Sequence, residues 1–308
     1  MLAISPSDPL KLQLVGRPAA LPGTFPNTVA ASVKNSLVCV GTTGSRSGIS
    51  CANFDARTGI GPMDALRPFG IGQSDPPVGP TNTVSQTFFS EDQSLLFTTV
   101  KGNPMVNNTG FLSVFAVEGG EMMANGACTS KMGGKSAKLS TKETRSSPPG
   151  TAVLFGSQVI PGANPPKIFT TDASFGAGIL SISPTLSSTL TSKLAIPDQR
   201  ATCWTTISTF TNTAFVTDVA INRILELSLT DASMVSKIDL SMEAASKGDP
   251  GLIDLRAAGA FVYALSPGNG TTEAAVSVVD LRSKKLVQHA LLGKIGVGAT
   301  AMGMAILL

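Results

Sequence analysis

The sequence predicts an all-β fold, a β-propeller of four-stranded antiparallel blades, on three observations. First, one strand pattern recurs: "SLVCVGT", "SLLFTTV", "PKIFTTD", "NTAFVTD" and "AFVYALS", centred on Cys39, Phe97, Phe169, Phe215 and Tyr263. The last three centres stand 46 and 48 residues apart, close to the ~40–50 residues of one propeller blade. Second, each recurrence is bracketed by further short strand patterns in the same order, and four antiparallel strands repeated radially make a propeller. Third, 31 Gly and 20 Pro in 308 residues mark a chain that turns often and leaves little room for long helices. A single β-sandwich is the rival, and five repeats of four strands exceed what it needs.

The elements follow from this frame. A leading strand precedes each anchor, as in "TVSQTFFS", "TAVLFGSQVI", "CWTTISTF" and "LIDLRAAG". A third follows it, as in "GISCANFD", "GFLSVFAV", "GAGILSIS", "NRILELSL" and "AAVSVVDL", and weaker fourth strands read "MVSKIDLS" and "KLVQHALL". Ile224, Glu226 and Ser228 alternate with Leu225, Leu227 and Leu229, the period-2 pattern of a strand. The long step from Phe97 to Phe169 is explained by a Lys/Ser/Gly-rich insert, Gly119 to Gly150. It lacks apolar periodicity and reads as a surface loop around one short strand. The chain is thus expected to be one propeller domain over 1–308, with five complete blades and partial strands at its ends. "MLAIS" and "LKLQLVGRP" resemble third and fourth strands of a blade, and "TAMGMAILL" a first strand. Joining these ends leaves a second strand missing, so the expectation is an open or distorted ring with apolar edges exposed at both termini.

Composition excludes several functions. Apolar residues make up 42% and charged ones 14%, enough to bury a core. A formal net charge of +3 argues against a nucleic-acid partner. No apolar run reaches the ~18 residues of a membrane helix, and the start shows no signal-peptide pattern. One histidine and four cysteines without C-x-x-C fit no metal-site spacing. "GKIGVGATAMG" and "GTTGSRSG" lack the context of nucleotide-binding loops, so no cofactor is expected.

Individual residues carry further expectations. Cys39 and Cys51 lie equidistant from the hairpin loop "GTTGSRSGIS" and therefore face each other, within disulfide range. A pair of buried thiols is the other reading, while a bridge argues for an oxidising compartment. The pairing of Cys128 and Cys203 stays open. Asp172 and Asp218 occupy one blade position twice, which favours a carboxylate accepting backbone N–H groups of the next turn over catalysis. Trp204 is expected to pack between blades. Asn107 and Asn269 head the sequons "NNT" and "NGT" in loops.

"FFSEDQSLLFTTVKGNPMVNNTGFLSVFAV" and "QRATCWTTISTFTNTAFVTDVAINRILELSL", with "LRPFGIGQSDPPVGPTNTVSQTFFSED", "PPGTAVLFGSQVIPG" and "LVCVGTTGSRSGISCANFDARTG", resemble the secreted fungal 3-carboxymuconate cyclase-like proteins, a branch of the lactonase-type seven-bladed propellers. The resemblance runs from Val15 to Leu308. It implies an extracellular or cell-wall location, and a chain lacking roughly two N-terminal blades and a signal peptide. It also implies metal-free lactone chemistry by a histidine with arginine and glutamate helpers near the central channel. The single histidine, His289, falls in an outermost strand and reads as a surface or edge residue, so no catalytic residue is assigned. Lys101, Arg200 and Arg256 fall on or at the ends of inner strands, where guanidinium forks would suit a carboxylate. Ordinary ion pairs are the other reading, and Asp254 shares a face with Arg256. Two functions follow. One is a binding or structural propeller recognising a small carboxylate or lactone, or host and wall components. The alternative is a lactone-forming or lactone-hydrolysing enzyme.

Overall fold

The structure is a computed structural model and describes residues 1–119 and 136–307. It is an all-β propeller fold of four-stranded antiparallel blades. Only three short 3-10 turns, and no α-helix, occur among the described residues. No helix there is long and apolar enough to cross a membrane. The chain divides into two compact units, Met1–Lys101 with Leu112–Arg145, and Gly102–Phe111 with Ser146–Leu308.

The first unit opens with a hairpin, β1 (Leu2–Ser5) and β2 (Asp8–Leu14). Blade 1 follows as β3 (Pro26–Ser32), β4 (Leu37–Thr42) and β5 (Gly48–Asp55). Its outer edge is made by two two-residue strands, β6 (Gly59–Ile60) and β7 (Arg67–Pro68), both paired with β5. Blade 2 is β8 (Val84–Phe89), β9 (Leu95–Val100), β10 (Phe111–Glu118) and β11 (Lys138–Ser146). The strand inside the expected insert is therefore this blade's nine-residue outer strand. Positions 120–135 of the insert, and with them Cys128 and its pairing, lie outside the described residues.

The second unit holds blade 3, β12 (Leu154–Val159), β13 (Lys167–Asp172), β14 (Gly176–Ile182) and β15 (Ser188–Ala195). Blade 4 is β16 (Thr202–Ser208), β17 (Thr213–Asp218), β18 (Ile221–Ser228) and β19 (Met234–Asp239). Blade 5 is β20 (Asp254–Ala258), β21 (Phe261–Ser266), β22 (Ala275–Asp280) and β23 (Lys285–Leu291). Strand order follows sequence order in blades 2 to 5, so strands adjacent in the chain pair as neighbours, and the short turns of blades 3 to 5 cost little loop entropy. The stretch 301–307, expected as a first strand, forms no strand.

The recurrent Thr-Asp of the anchored strands has a structural reason. In blades 3 and 4 the first strand carries a bulge, between Leu154 and Ser157 and between Thr202 and Thr205. A bulge strands a backbone N–H. Thr171 accepts the N–H of Gly156 at 3.0 Å, and Thr217 that of Trp204 at 3.2 Å. Asp172 accepts Ala152 and Val153 N–H at 2.8 and 3.0 Å and Ser174 N–H at 2.9 Å. Asp218 accepts Arg200 and Ala220 N–H at 2.8 and 3.0 Å. Each aspartate thus ties the entry into its blade to the turn that leaves the second strand, the structural role its repetition implies.

Both faces of a blade are packed, so strand alternation does not divide core from solvent. In β18 Glu226 is as buried as Leu225 and Leu227. It is admitted because Lys284 Nζ lies 2.6 Å away, and Ser236 and Thr213 donate at 2.6 and 3.0 Å. The core of the second unit runs between its blades, through Phe169, Ile179, Val216 and Leu227, and again through Phe215, Ile224, Leu255 and Val279. In blade 1, Cys39 and Cys51 are directly opposed in the β4–β5 ladder and joined by a disulfide.

Candidate functional site

The innermost strands of blades 3, 4 and 5 are neighbours in the second unit and bring together four side chains. The β12 and β16 backbones approach closely because position 156 is glycine. A Cβ there would stand 2.8 Å from both Cys203 O and Trp204 Cα. The bulge held by Thr217 then presents Trp204 beside Phe155, ring centroids 5.3 Å apart and tilted by 55°. From β20 the Arg256 guanidinium lies over the Trp204 ring, 5.8 Å from its centroid, in cation–π range. Arg256 in turn contacts Asp254 at 3.1 Å. Phe155, Trp204 and Arg256 are half-buried, so this row of two rings and a cation faces outward from the packed blades. The Trp204 indole N–H is buried and has no hydrogen-bond partner, so it is turned away from solvent as well as unpaired.

Asp254 is the unusual group of the set. Its side chain is 2% exposed, and burial pushes its pKa up to about 6, against the pull of Arg256 and the N–H groups of Met304 and Leu255. Met304 N–H donates to Oδ2 at 2.7 Å and Leu255 N–H to Oδ1 at 2.7 Å. The segment expected as a strand therefore runs across Asp254 as irregular chain. A carboxyl near neutral pKa can both give and take a proton.

The other expected anion contacts stand elsewhere. Arg200 is exposed just ahead of β16, its backbone N–H on Asp218. Ala257 N–H bonds Thr206 Oγ1, which puts Arg256 level with the middle of β16 and Arg200 roughly 20 Å back along an extended chain. Lys101 belongs to the first unit, half-buried at the end of β9, with its N–H on Thr83 O at 2.9 Å. Asn107 is exposed in the left-handed conformation at the end of a 3-10 turn. Asn269 is exposed too, but its Oδ1 accepts the N–H groups of Thr271 and Thr272 at 2.9 and 2.8 Å, and its Nδ2 donates to Gly248 O at 3.0 Å.

His289 corrects an expectation. It does lie in an outermost strand, β23, but its side chain is 5% exposed, not at the surface. Nδ1 stands 3.1 Å from Ser277 Oγ, and Nε2 3.4 Å from an Asp249 carboxylate oxygen. A serine, the chain's single histidine and an acid thus meet here. Ser277 is fully buried and the Asp249 side chain 4% exposed, so the row is packed into the outer edge of the blade. Burial raises the Asp249 carboxyl above its usual range, against the pull of His289. Asp249 reaches the strand from the connection between blades 4 and 5, folding over an edge that strand order alone leaves open.

The first unit carries a cleft of about 530 Å³ beside Asp64, Arg67, Phe115, Glu118, Lys138 and Glu143. Its chemistry is committed to structure. Arg67 forks onto Asp64 at 2.9 and 3.0 Å and donates to the carbonyls of Ser140 and Leu139 at 2.7 and 2.6 Å.

The class these features define is the β-propeller, with a cation–aromatic row on its innermost strands. Among solved structures the chain is similar to the periplasmic gluconolactonase of Pseudomonas aeruginosa, at 13% identity over 94% of this chain and 78% of that one, with a TM-score of 0.58. It is similar to a putative 6-phosphogluconolactonase of Bacteroides uniformis, at 15% identity over 86% and 71%, TM-score 0.58. It is also similar to Chaetomium thermophilum Sqt1, solved bound to the N-terminus of ribosomal protein L10, at 14% identity over 90% and 77%, TM-score 0.50. At such identities the likeness is one of fold, and a fold does not fix a function. No protein-family model matches the chain. No curated protein matches it either.

Proposed function

We propose that this chain is a binding propeller of the fungal 3-carboxymuconate cyclase-like type, acting outside the cell or in the wall, whose inner strands take a small carboxylate or lactone without turning it over. The observation that carries this reading is the Phe155–Trp204–Arg256 row. A guanidinium held over an indole, with a second ring alongside, suits a planar carboxylate that accepts hydrogen bonds and stacks. The place of His289 in an outermost strand, away from the inner-strand row, supports binding over histidine-based catalysis, and the Cys39–Cys51 bridge supports an oxidising compartment. Arg200 remains part of the proposal as an outlying cation that draws an anion in, and Lys101 as a separate anion contact of the first unit. Host or wall components bearing carboxylates are the corresponding macromolecular partners.

Asp254 favours the second reading, a lactone-forming or lactone-hydrolysing enzyme, because its carboxyl is poised to move a proton one ion pair from the row. Calorimetry with di- and tricarboxylates tests the first reading, with Arg256→Gln as control. We expect binding that Arg256→Gln abolishes, and a native state stabilised by about 2.7 kcal/mol at a hundredfold excess over Kd. Following the diene absorbance of 3-carboxymuconate tests the second. Turnover that disappears in Asp254→Asn would replace the binding reading, and no heat with any carboxylate would overturn it.

A further inference from the structure

Arg256 has one carboxylate already and an edge left for another. Its Nη1 meets Asp254 Oδ1 at 3.1 Å and donates to Leu255 O at 3.0 Å. Its Nε and Nη2 make no hydrogen bond among the described residues, and the side chain is 35% exposed. A guanidinium takes carboxylates by its forked edges, so the Nε–Nη2 edge is the one open to a ligand.

Asp254 stands differently. Its side chain is 2% exposed, with Met304 N–H on Oδ2 and Leu255 N–H on Oδ1, each at 2.7 Å. On β21, Leu265 pairs with Asp254 and Tyr263 with Arg256. From β16 comes the Cys203 thiol, 3.9 Å from Ile253 O, and from the C-terminal segment the Met304 amide. Arg256 is thus the one charged side chain in contact with Asp254 among the described residues.

We infer that a carboxylate bound on the free edge of Arg256 brings a proton with it, taken from solvent onto Asp254, so that the row holds acids in acidic surroundings and lets them go as the pH rises. This rests on the reading of the row as a carboxylate site. Two carboxylates on one guanidinium leave an uncompensated negative charge, and like charges so close do not both stay ionised. Asp254 is the one to give way, because burial penalises its charge more than that of a ligand open to water. Its carboxyl is already raised to about 6 before any ligand arrives. A second carboxylate ~6 Å away adds on the order of a 100-fold preference for the protonated form. The neutral carboxyl keeps Oδ1 as an acceptor for Arg256.

Calorimetry with fumarate, a planar dicarboxylate already ionised over the pH range used, tests the inference. Titration in buffers of different ionisation heat counts the protons. The wild type is expected to take up about 0.8 proton per fumarate at pH 7 and about 0.2 at pH 5.5. Its affinity should fall about 20-fold from pH 5.5 to 7.5. Asp254→Asn should take up none, bind equally at both pH values, and exceed the wild type about 20-fold at pH 7.5. The proton count on the wild type decides the matter even where that variant does not fold. Fumarate bound without proton uptake, or more tightly at pH 7.5 than at 5.5, would overturn the inference and leave the carboxylate site standing. Uptake that persists in Asp254→Asn would overturn it too, the proton then going elsewhere. No fumarate bound at either pH, by either protein, would remove the site reading and this inference together.

Discussion

Replacing Asp172 by asparagine tests the account of the repeated Thr-Asp directly. The carboxylate is fully buried and accepts four hydrogen bonds, from Ala152, Val153 and Ser174 N–H and from Ser174 Oγ at 2.6 Å. Asparagine keeps the shape. Its oxygen, placed at Oδ1, can still serve Val153 and Ser174, but its NH₂ then faces the Ala152 N–H donor. One N–H left unsatisfied costs about 1–3 kcal/mol, and the surviving bonds fall from the ~1.5–3 kcal/mol of charged acceptors toward ~1. The expected loss is about 3 kcal/mol, or roughly a 100-fold faster exchange of the Ala152 amide at ~1.4 kcal/mol per decade. Asp218→Asn should repeat the effect at Arg200, because the same geometry recurs there. Native-state hydrogen exchange read by mass spectrometry resolves both sites. Exchange within about threefold of the wild type at Ala152, or a loss at Asp172 without one at Asp218, would refute the reasoning.

Cys39→Ser with Cys51→Ser should lower stability by about 3 kcal/mol, the loop-closure term for so short a crosslink; urea titration with and without reductant checks it. Asp254 titrates in the folded chain at about 6, above its unfolded value of ~3.9. Its contribution is therefore fully present below pH ~4 and lost as pH rises through ~6, on the order of 2–3 kcal/mol. Asp254→Asn should flatten that slope in Tm measured from pH 4 to 7. If the chain is secreted from a yeast, peptide mapping should find Asn107 more fully glycosylated than Asn269, whose amide is already held by Gly248.

The blades were legible because a propeller repeats its chemistry along with its shape. Phe169 and Phe215 mark equivalent core positions, and Asp172 and Asp218 equivalent ties. The disulfide was legible for a different reason, since a hairpin pairs residues by symmetry about its loop. What sequence could not supply was contact between blades. Trp204 and Arg256 are 52 positions apart, and only the bulge and the neighbouring strand bring them together. His289 misled because strand order places β23 outermost, whereas burial there is decided by Asp249 in a connection of no periodicity. Glu226 carried the same lesson: alternation separates two faces, and in a blade both are inside.

The bulges of blades 3 and 4 have a consequence for how such a molecule can change. Threonine and aspartate of the second strand fasten the bulged first strand, through groups that point into the seam. The side chains presented at the bulge, Trp204 in one blade and Phe155 ahead of Gly156 in the other, make none of those hydrogen bonds. They are interchangeable furniture on a fixed frame. A lineage built on this plan can rewrite what it recognises one residue at a time, leaving its carpentry untouched, and two chains with the same frame need share nothing of their guests.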